Sequence, residues 1–178
     1  MVLIRTAFSL LGLLCLAACD RLPETYPPPE QRQPVAGVNV GPDAMMVSME
    51  GNDADAFFVK DIYGPFGAAP WRWSKQEPTV KVLVVSNENV RFSADFAIWD
   101  EGFKSTGPLE ISFLVNGKLL DKVRYTTPGD KHFEKAVPAD WLTENAEATV
   151  ALRVDKLYVA PRDKAKFGVI LSRMGLKP

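Results

Sequence analysis

Hydrophobic and polar residues alternate with a period of two through the second half of the chain, in runs too short for helices. VRFSADFAIW (90–99) is the clearest. Val90, Phe92, Ala94, Phe96 and Ile98 fall on one face, and Arg91, Ser93 and Asp95 on the other, as side chains of a strand do. TVKVLVVS (79–86), rich in β-branched residues, predicts a second strand. PLEISFLVNGKLLDKVRYT (108–126) predicts a hairpin, because Asn116-Gly117 tolerates positive φ between two apolar-patterned arms. Leu109, Ile111, Phe113 and Val115 make the buried face of its first arm. KHFEKAVP (131–138), a long arm ATVALRVDKLYVAP (148–161) and FGVILSR (167–173) continue the series, with one helical turn at Ala139-Asp140-Trp141-Leu142. No segment sustains helical periodicity over three turns. With turn signals throughout and no internal repeat, residues 43–178 are expected to form one all-β domain, an antiparallel β-sandwich.

The first residues follow a different pattern. MVLIR carries one basic side chain, Arg5, and is followed by TAFSLLGLLCLAA, which has no charge. This is the layout of a secretory signal. Thr6 to Ala18 gives about 13 apolar residues, whereas a membrane-spanning helix needs roughly 20. Leu16-Ala17-Ala18-Cys19 resembles the lipobox of bacterial lipoproteins, in which small residues precede a cysteine that is acylated and becomes the first residue of the mature chain. The resemblance implies a signal peptide over 1–18, lipidation of Cys19, and an exported protein held on the cell-envelope membrane facing the periplasm. Asp20 resembles the residue that retains such proteins in the inner membrane. One acyl chain holds a protein marginally and two or more hold it stably; the three chains of a mature lipoprotein imply a permanent anchor. Residues 19–42 then form a linker, DRLPETYPPPEQRQPVAGVNVGP after the cysteine, with six prolines and few large apolar side chains. Such a composition favours extended conformations over a core.

Charge and cysteine content narrow the chemistry. The formal charge is −1; loss of Arg5 with the signal takes it to −2, with no overall attraction to nucleic acid. Cys15 lies in the signal and Cys19 is the lipidation site, so the domain has neither disulfide nor thiol. One histidine, His132, in the polar stretch DKHFEK, is expected on the surface. With one histidine and no cysteine, a zinc site built on those ligands is close to excluded. No G-x-S-x-G elbow, H-E-x-x-H helix or phosphate-binding loop occurs. Asp100-Glu101 reads as a charged strand-end loop, and Asn52-Asp53-Ala54-Asp55 as a plain turn, although its oxygen-rich side chains have the look of a calcium loop. The expectation is a protein that is not an enzyme, with no metal and no cofactor.

The remaining constellation is aromatic: Tyr63-Gly64-Pro65-Phe66-Gly67, then Trp71-Arg72-Trp73-Ser74. On a strand Trp71 and Trp73 share a face and Arg72 takes the other. An indole can stack on the apolar face of a sugar ring and an arginine can bind hydroxyls or a carboxylate; equally, the tryptophans can plug one end of the core. Trp99 alternates away from the Phe92/Phe96 face and is expected to be accessible, beside Asp100 and near Arg91, or packed under a loop. The tyrosine-glycine-proline turn, W-R-W-S, the "LVNG" hairpin, the V-P-x-x-W step and a final strand resemble jelly-roll, galactose-binding-like sandwiches of carbohydrate-binding type, modules that accompany bacterial envelope-polysaccharide glycosyltransferases. Such modules close on an arginine-containing turn, which Pro161-Arg162-Asp163-Lys164-Ala165-Lys166-Phe167-Gly168 matches loosely. The resemblance implies glycan binding or polysaccharide assembly, with Tyr63, Trp71, Arg72, Trp73 and Trp99 as candidate contacts. The partners expected are the bilayer, through acylated Cys19, and an envelope polysaccharide or its assembly proteins. The alternative is a structural or protein-binding envelope lipoprotein without a sugar ligand.

Overall fold

The computed structural model describes residues 45–178 apart from 51, 52 and 66. The signal, Cys19, the linker, Asn52 and Phe66 lie outside the described residues. Eleven strands and one short helix follow in order: β1 (Met46–Ser48), β2 (Phe58–Ile62), β3 (Arg72–Leu83), β4 (Arg91–Ile98), α1 (Asp100–Thr106), β5 (Leu109–Val115), β6 (Lys118–Tyr125), β7 (Gly129–Ala136), β8 (Glu147–Val154), β9 (Tyr158–Val159), β10 (Lys166–Phe167) and β11 (Ile170–Lys177).

All pairings are antiparallel. β1, β11, β4 and β7 neighbour one another in one layer, and β2, β3, β8, β5 and β6 in the other. Leaving out the short β2, β9 and β10 and numbering the eight others in chain order, the layers read 1-8-3-6 and 2-7-4-5. That is the strand order of a jelly-roll sandwich. β3 links the layers: Arg72 and Trp73 pair with β11, and Thr79–Leu83 pair with β8.

The core follows from the alternation. Phe92, Ala94, Phe96 and Ile98 of β4 face Ile111, Phe113 and Val115 of β5, each at most 2% exposed. Phe113 stacks on Phe133 of β7 with ring centroids 3.5 Å apart, and meets Phe92 edge-on at 5.7 Å. One ring from the second layer is thus held among rings of the first. Asn116 and Gly117 have φ of 49° and 76° and make the expected tight turn of the β5–β6 hairpin. At Gly175 a Cβ would lie 2.3 Å from the Met45 carbonyl oxygen, so only glycine lets β1 lie against β11 there.

Several expected boundaries shift. The long arm breaks after Val154, and the closing strand begins at Ile170 rather than Phe167, because Lys166–Phe167 pair locally with Tyr158–Val159 in a small hairpin. Asp100 and Glu101 open the two-turn helix α1 instead of a loop. Both carboxylates reach Lys104, at 2.8 and 2.7 Å, and acidic residues suit the first turn of a helix. Asp53–Phe57 is a turn of 3₁₀ helix, where a plain turn was expected.

The two outer faces are each tied by one carboxylate. Glu77 of β3 takes Lys60 of β2 at 2.8 Å and Arg153 of β8 at 2.6 Å. Glu134 of β7 takes Lys177 of β11 and Arg91 of β4. Both acids are pulled below the ordinary carboxylate range, Glu77 by Arg153 and then Lys60, and Glu134 to about 2 by Lys177 and then Arg91. A folded-state value below the unfolded 4.5 adds stability above that pH, and the addition fades as pH falls toward 2. In urea titrations the midpoint of the native protein is therefore expected to drop between pH 5 and pH 3, and Glu134→Gln should drop less. Equal drops would contradict the role given to Glu134.

Candidate functional site

One end of the sandwich is built from the β2–β3 connection (63–71), the segment 99–108 with α1, and the segment 155–169 with the β9–β10 hairpin. Alternation along β3 turns Arg72 and Ser74 inward and leaves Trp71 and Trp73 half-buried on the other side. Trp99 follows β4 at the same end, and Arg91 stands at the opposite end of that strand, paired with Glu134. The expected neighbourhood of Trp99 and Arg91 is therefore replaced by one of Trp99 and Trp73.

The rings form a continuous edge-to-face chain. Trp71 and Trp73 are 6.0 Å apart at 84°, Trp73 and Trp99 5.6 Å at 80°, and Trp99 and Tyr158 5.1 Å at 87°. Phe167 joins Trp73 at 5.1 Å and Tyr63 at 5.4 Å. Edge-to-face pairs exploit the ring quadrupole and each add about 0.5–1.5 kcal/mol beyond the area they cover. Gly102 is what lets α1 lie on this cluster, since a Cβ there would stand 3.3 Å from Trp99 and 3.5 Å from Tyr158. The helix ends on Gly107, φ 69°, whose N–H bonds to the Phe103 carbonyl.

Ser74 clasps the returning chain. Its N–H donates to the Val169 carbonyl at 2.9 Å, its carbonyl accepts from Gly168 N–H at 2.8 Å, and its hydroxyl oxygen accepts from Val169 N–H at 2.9 Å. A Cβ on Gly168 would lie 2.3 Å from the Lys75 carbonyl oxygen. The Tyr63 hydroxyl donates to the Lys166 carbonyl at 3.0 Å, and Lys156 Nζ donates to the carbonyls of Thr106 and Pro108. Sequence reasoning missed Tyr158 and Phe167. Phe167 is the first residue of the longer last strand expected from the sequence, and the signal that marks it is Gly168, which breaks that strand.

Among the candidate contacts, Tyr63, Trp71, Trp73 and Trp99 come together at this end. Arg72 does not reach its surface: the side chain is 2% exposed, with Nη2 3.9 Å from an Asp55 carboxylate oxygen. The space beneath the rings, between Trp73, Trp99, Gly102, Phe103 and Tyr158, is about 10 Å³, room for about one water. A sugar ring can lie only on the outside of the cluster. There, an open hollow of about 590 Å³ is lined by Ala160, Pro161, Arg162, Asp163 and Phe167.

His132 is on the outer face of the first layer, with Nδ1 2.6 Å from an Asp95 carboxylate oxygen. Among the described residues no three His, Cys, Asp or Glu side chains group so as to hold a metal ion.

The chain is similar in structure to carbohydrate-binding modules. A family 35 module from an environmental isolate aligns with 75% of this chain and 96% of its own at 8% identity and a TM-score of 0.42. A CBM36-1 domain of a multidomain xylanase from the hindgut metagenome of Trinervitermes trinervoides covers 75% and 94%, at 11% identity and a TM-score of 0.37. A CBM35 from Paenibacillus barcinonensis covers 67% and 87%, at 11% identity and a TM-score of 0.33. Likenesses of this degree assign no ligand. No protein-family model matches the chain, and no curated protein matches it.

Trp99 is held by Trp73, Tyr158 and α1, so Trp99→Ala should cost about 2–4 kcal/mol of stability. Denaturant unfolding of the variant checks this, and an unchanged midpoint would contradict the packing.

Proposed function

We propose that the protein is a lipid-anchored, non-catalytic module of the bacterial cell envelope whose ring-bearing end binds a glycan. The observation that carries the reading is the grouping of Tyr63, Trp71, Trp73, Trp99, Tyr158 and Phe167 into one half-buried cluster at one end of the sandwich. Half-buried rings present an apolar surface with polar rims, which suits the mixed character of a sugar. On this reading Cys19 carries the acyl chains, residues 20–42 span the gap, Asp20 keeps the protein in the inner membrane, and the partner is an envelope polysaccharide.

A second reading, a protein-binding lipoprotein, draws on the exposed Phe57 and Val59 at the edge strand β2, 40% and 51% accessible. Exposed apolar groups on a short edge strand suit strand addition by a partner.

Tryptophan fluorescence of the full-length protein, titrated with neutral and acidic envelope and exopolysaccharide fragments, separates the two. A saturable change with a glycan, weakened at least tenfold in a folded Trp71→Ala variant, is the expected result. No response across the panel would abandon the glycan reading. The anchor has its own test: cells fed a fatty-acid analogue should label the native protein and not Cys19→Ser, and label retained on the variant would contradict lipidation.

A further inference from the structure

The charges around the rings differ from those on the rest of the molecule. On the sheet faces cations are taken up by acids: Lys60 and Arg153 by Glu77, Arg91 and Lys177 by Glu134, Lys122 by Glu110, Lys135 by Asp121. Among the described residues, cations without a carboxylate partner occur there singly, as at Arg124 and Arg173. At the ring end they gather. Lys75, Arg162, Lys164 and Lys166 are exposed and have no carboxylate partner among the described residues. Lys75 Nζ stands 5.0 Å from the centre of the Tyr63 ring, and Arg162 lines the hollow against Phe167.

The acids of this segment are already occupied by the backbone. A carboxylate oxygen of Asp163 accepts from Ala165 N–H at 3.0 Å, and one of Asp155 accepts from Glu110 N–H at 2.8 Å. The loop is held in shape by Ala160 N–H to the Ala165 carbonyl at 2.8 Å and Lys164 N–H to the Ala160 carbonyl at 3.0 Å. Three basic side chains within five residues are thus fixed on a braced turn, beside rings, with their neighbouring carboxylates turned to the backbone.

We infer that the ligand of the ring end is an acidic polysaccharide, its sugar rings lying on the aromatic surface and its carboxylates on Arg162, Lys166 and Lys75. This rests on the glycan reading and adds the charge class of the glycan. Arginine can grip a carboxylate through two parallel N–H groups, and hydrogen bonds to a charged group are about twice as strong as neutral ones. Aromatic contact supplies affinity for any sugar face; the cations select the sugars that carry acid.

The test uses the full-length protein with alginate, hyaluronate and polygalacturonate, each beside its carboxyl-methylated form, together with neutral dextran and vesicles of phosphatidylglycerol in phosphatidylcholine. Binding of at least one acidic polymer is expected, at least tenfold tighter than its methyl ester, weakening as salt rises, and at least tenfold weaker in Arg162→Gln/Lys166→Gln, whose circular dichroism should be unchanged. Acid and ester binding equally, with the double variant unaffected, would overturn the charge inference and leave a neutral-glycan module standing. Binding to none of the polymers in either form would overturn both. Binding to the anionic vesicles alone would overturn it in favour of a lipid surface.

Discussion

The ring-bearing end depends on the clasp between Ser74 and the segment Gly168–Val169. Three hydrogen bonds, two from the backbone of Ser74 and one to its hydroxyl oxygen, fix the returning chain where β3 passes from one layer to the other. Ser74 and Val169 are fully buried, so a backbone N–H deprived of its acceptor there costs about 1–3 kcal/mol. Everything else at this end follows from that fixation. Phe167, one residue before the clasp, is brought against Trp73 and Tyr63; the β9–β10 hairpin brings Tyr158 to Trp99; and α1 can then lie across the pair because residue 102 has no side chain. The glycine at 168 is required by space alone, since its backbone passes too close to the Lys75 carbonyl for any Cβ.

The two sheet faces and the ring end divide the work of the charged residues. On the faces, Glu77 and Glu134 each join three strands, and their cations are used for holding the layers. Exposed pairs of this kind contribute little individually, about 0–1 kcal/mol, and more when one acid serves several cations in a network. At the ring end Asp100 and Glu101 are paired with Lys104, but along 155–166 the pattern reverses, with Arg162, Lys164 and Lys166 left for something outside the molecule and Asp155 and Asp163 bound to backbone N–H groups. A surface arranged in this way is suited to binding and has no evident part in folding.

Most of the sandwich was legible in the sequence because its strands are half-buried and so alternate. The β4 stripe and the Asn116-Gly117 hairpin are seen where expected. The elements that were not legible are those that alternation does not describe. α1 is two turns long and lacks a stripe of its own, since it covers rings with a glycine face; β9 and β10 have two residues each. The candidate site was partly legible. Trp71, Trp73 and Trp99 do meet, but nothing in the local pattern of a strand indicates that Tyr158 and Phe167 join them from a distant hairpin. Arg72 was drawn into the candidate site by its position between two tryptophans, and the same period-two rule that groups the tryptophans sends it inward. Its burial beside Asp55 makes it a structural cation.

The account as a whole rests on the proposal that binding occurs at the ring-bearing end of the sandwich. Its central claim is best examined by amide chemical-shift mapping of the full-length protein as the tightest-binding polysaccharide fragment is added. The account predicts that shifts cluster in residues 63–75, 99–107 and 156–168 and leave the segments 84–90 and 137–146 unmoved. Shifts confined to those latter segments, or to the outer faces of β4 and β7, would contradict it.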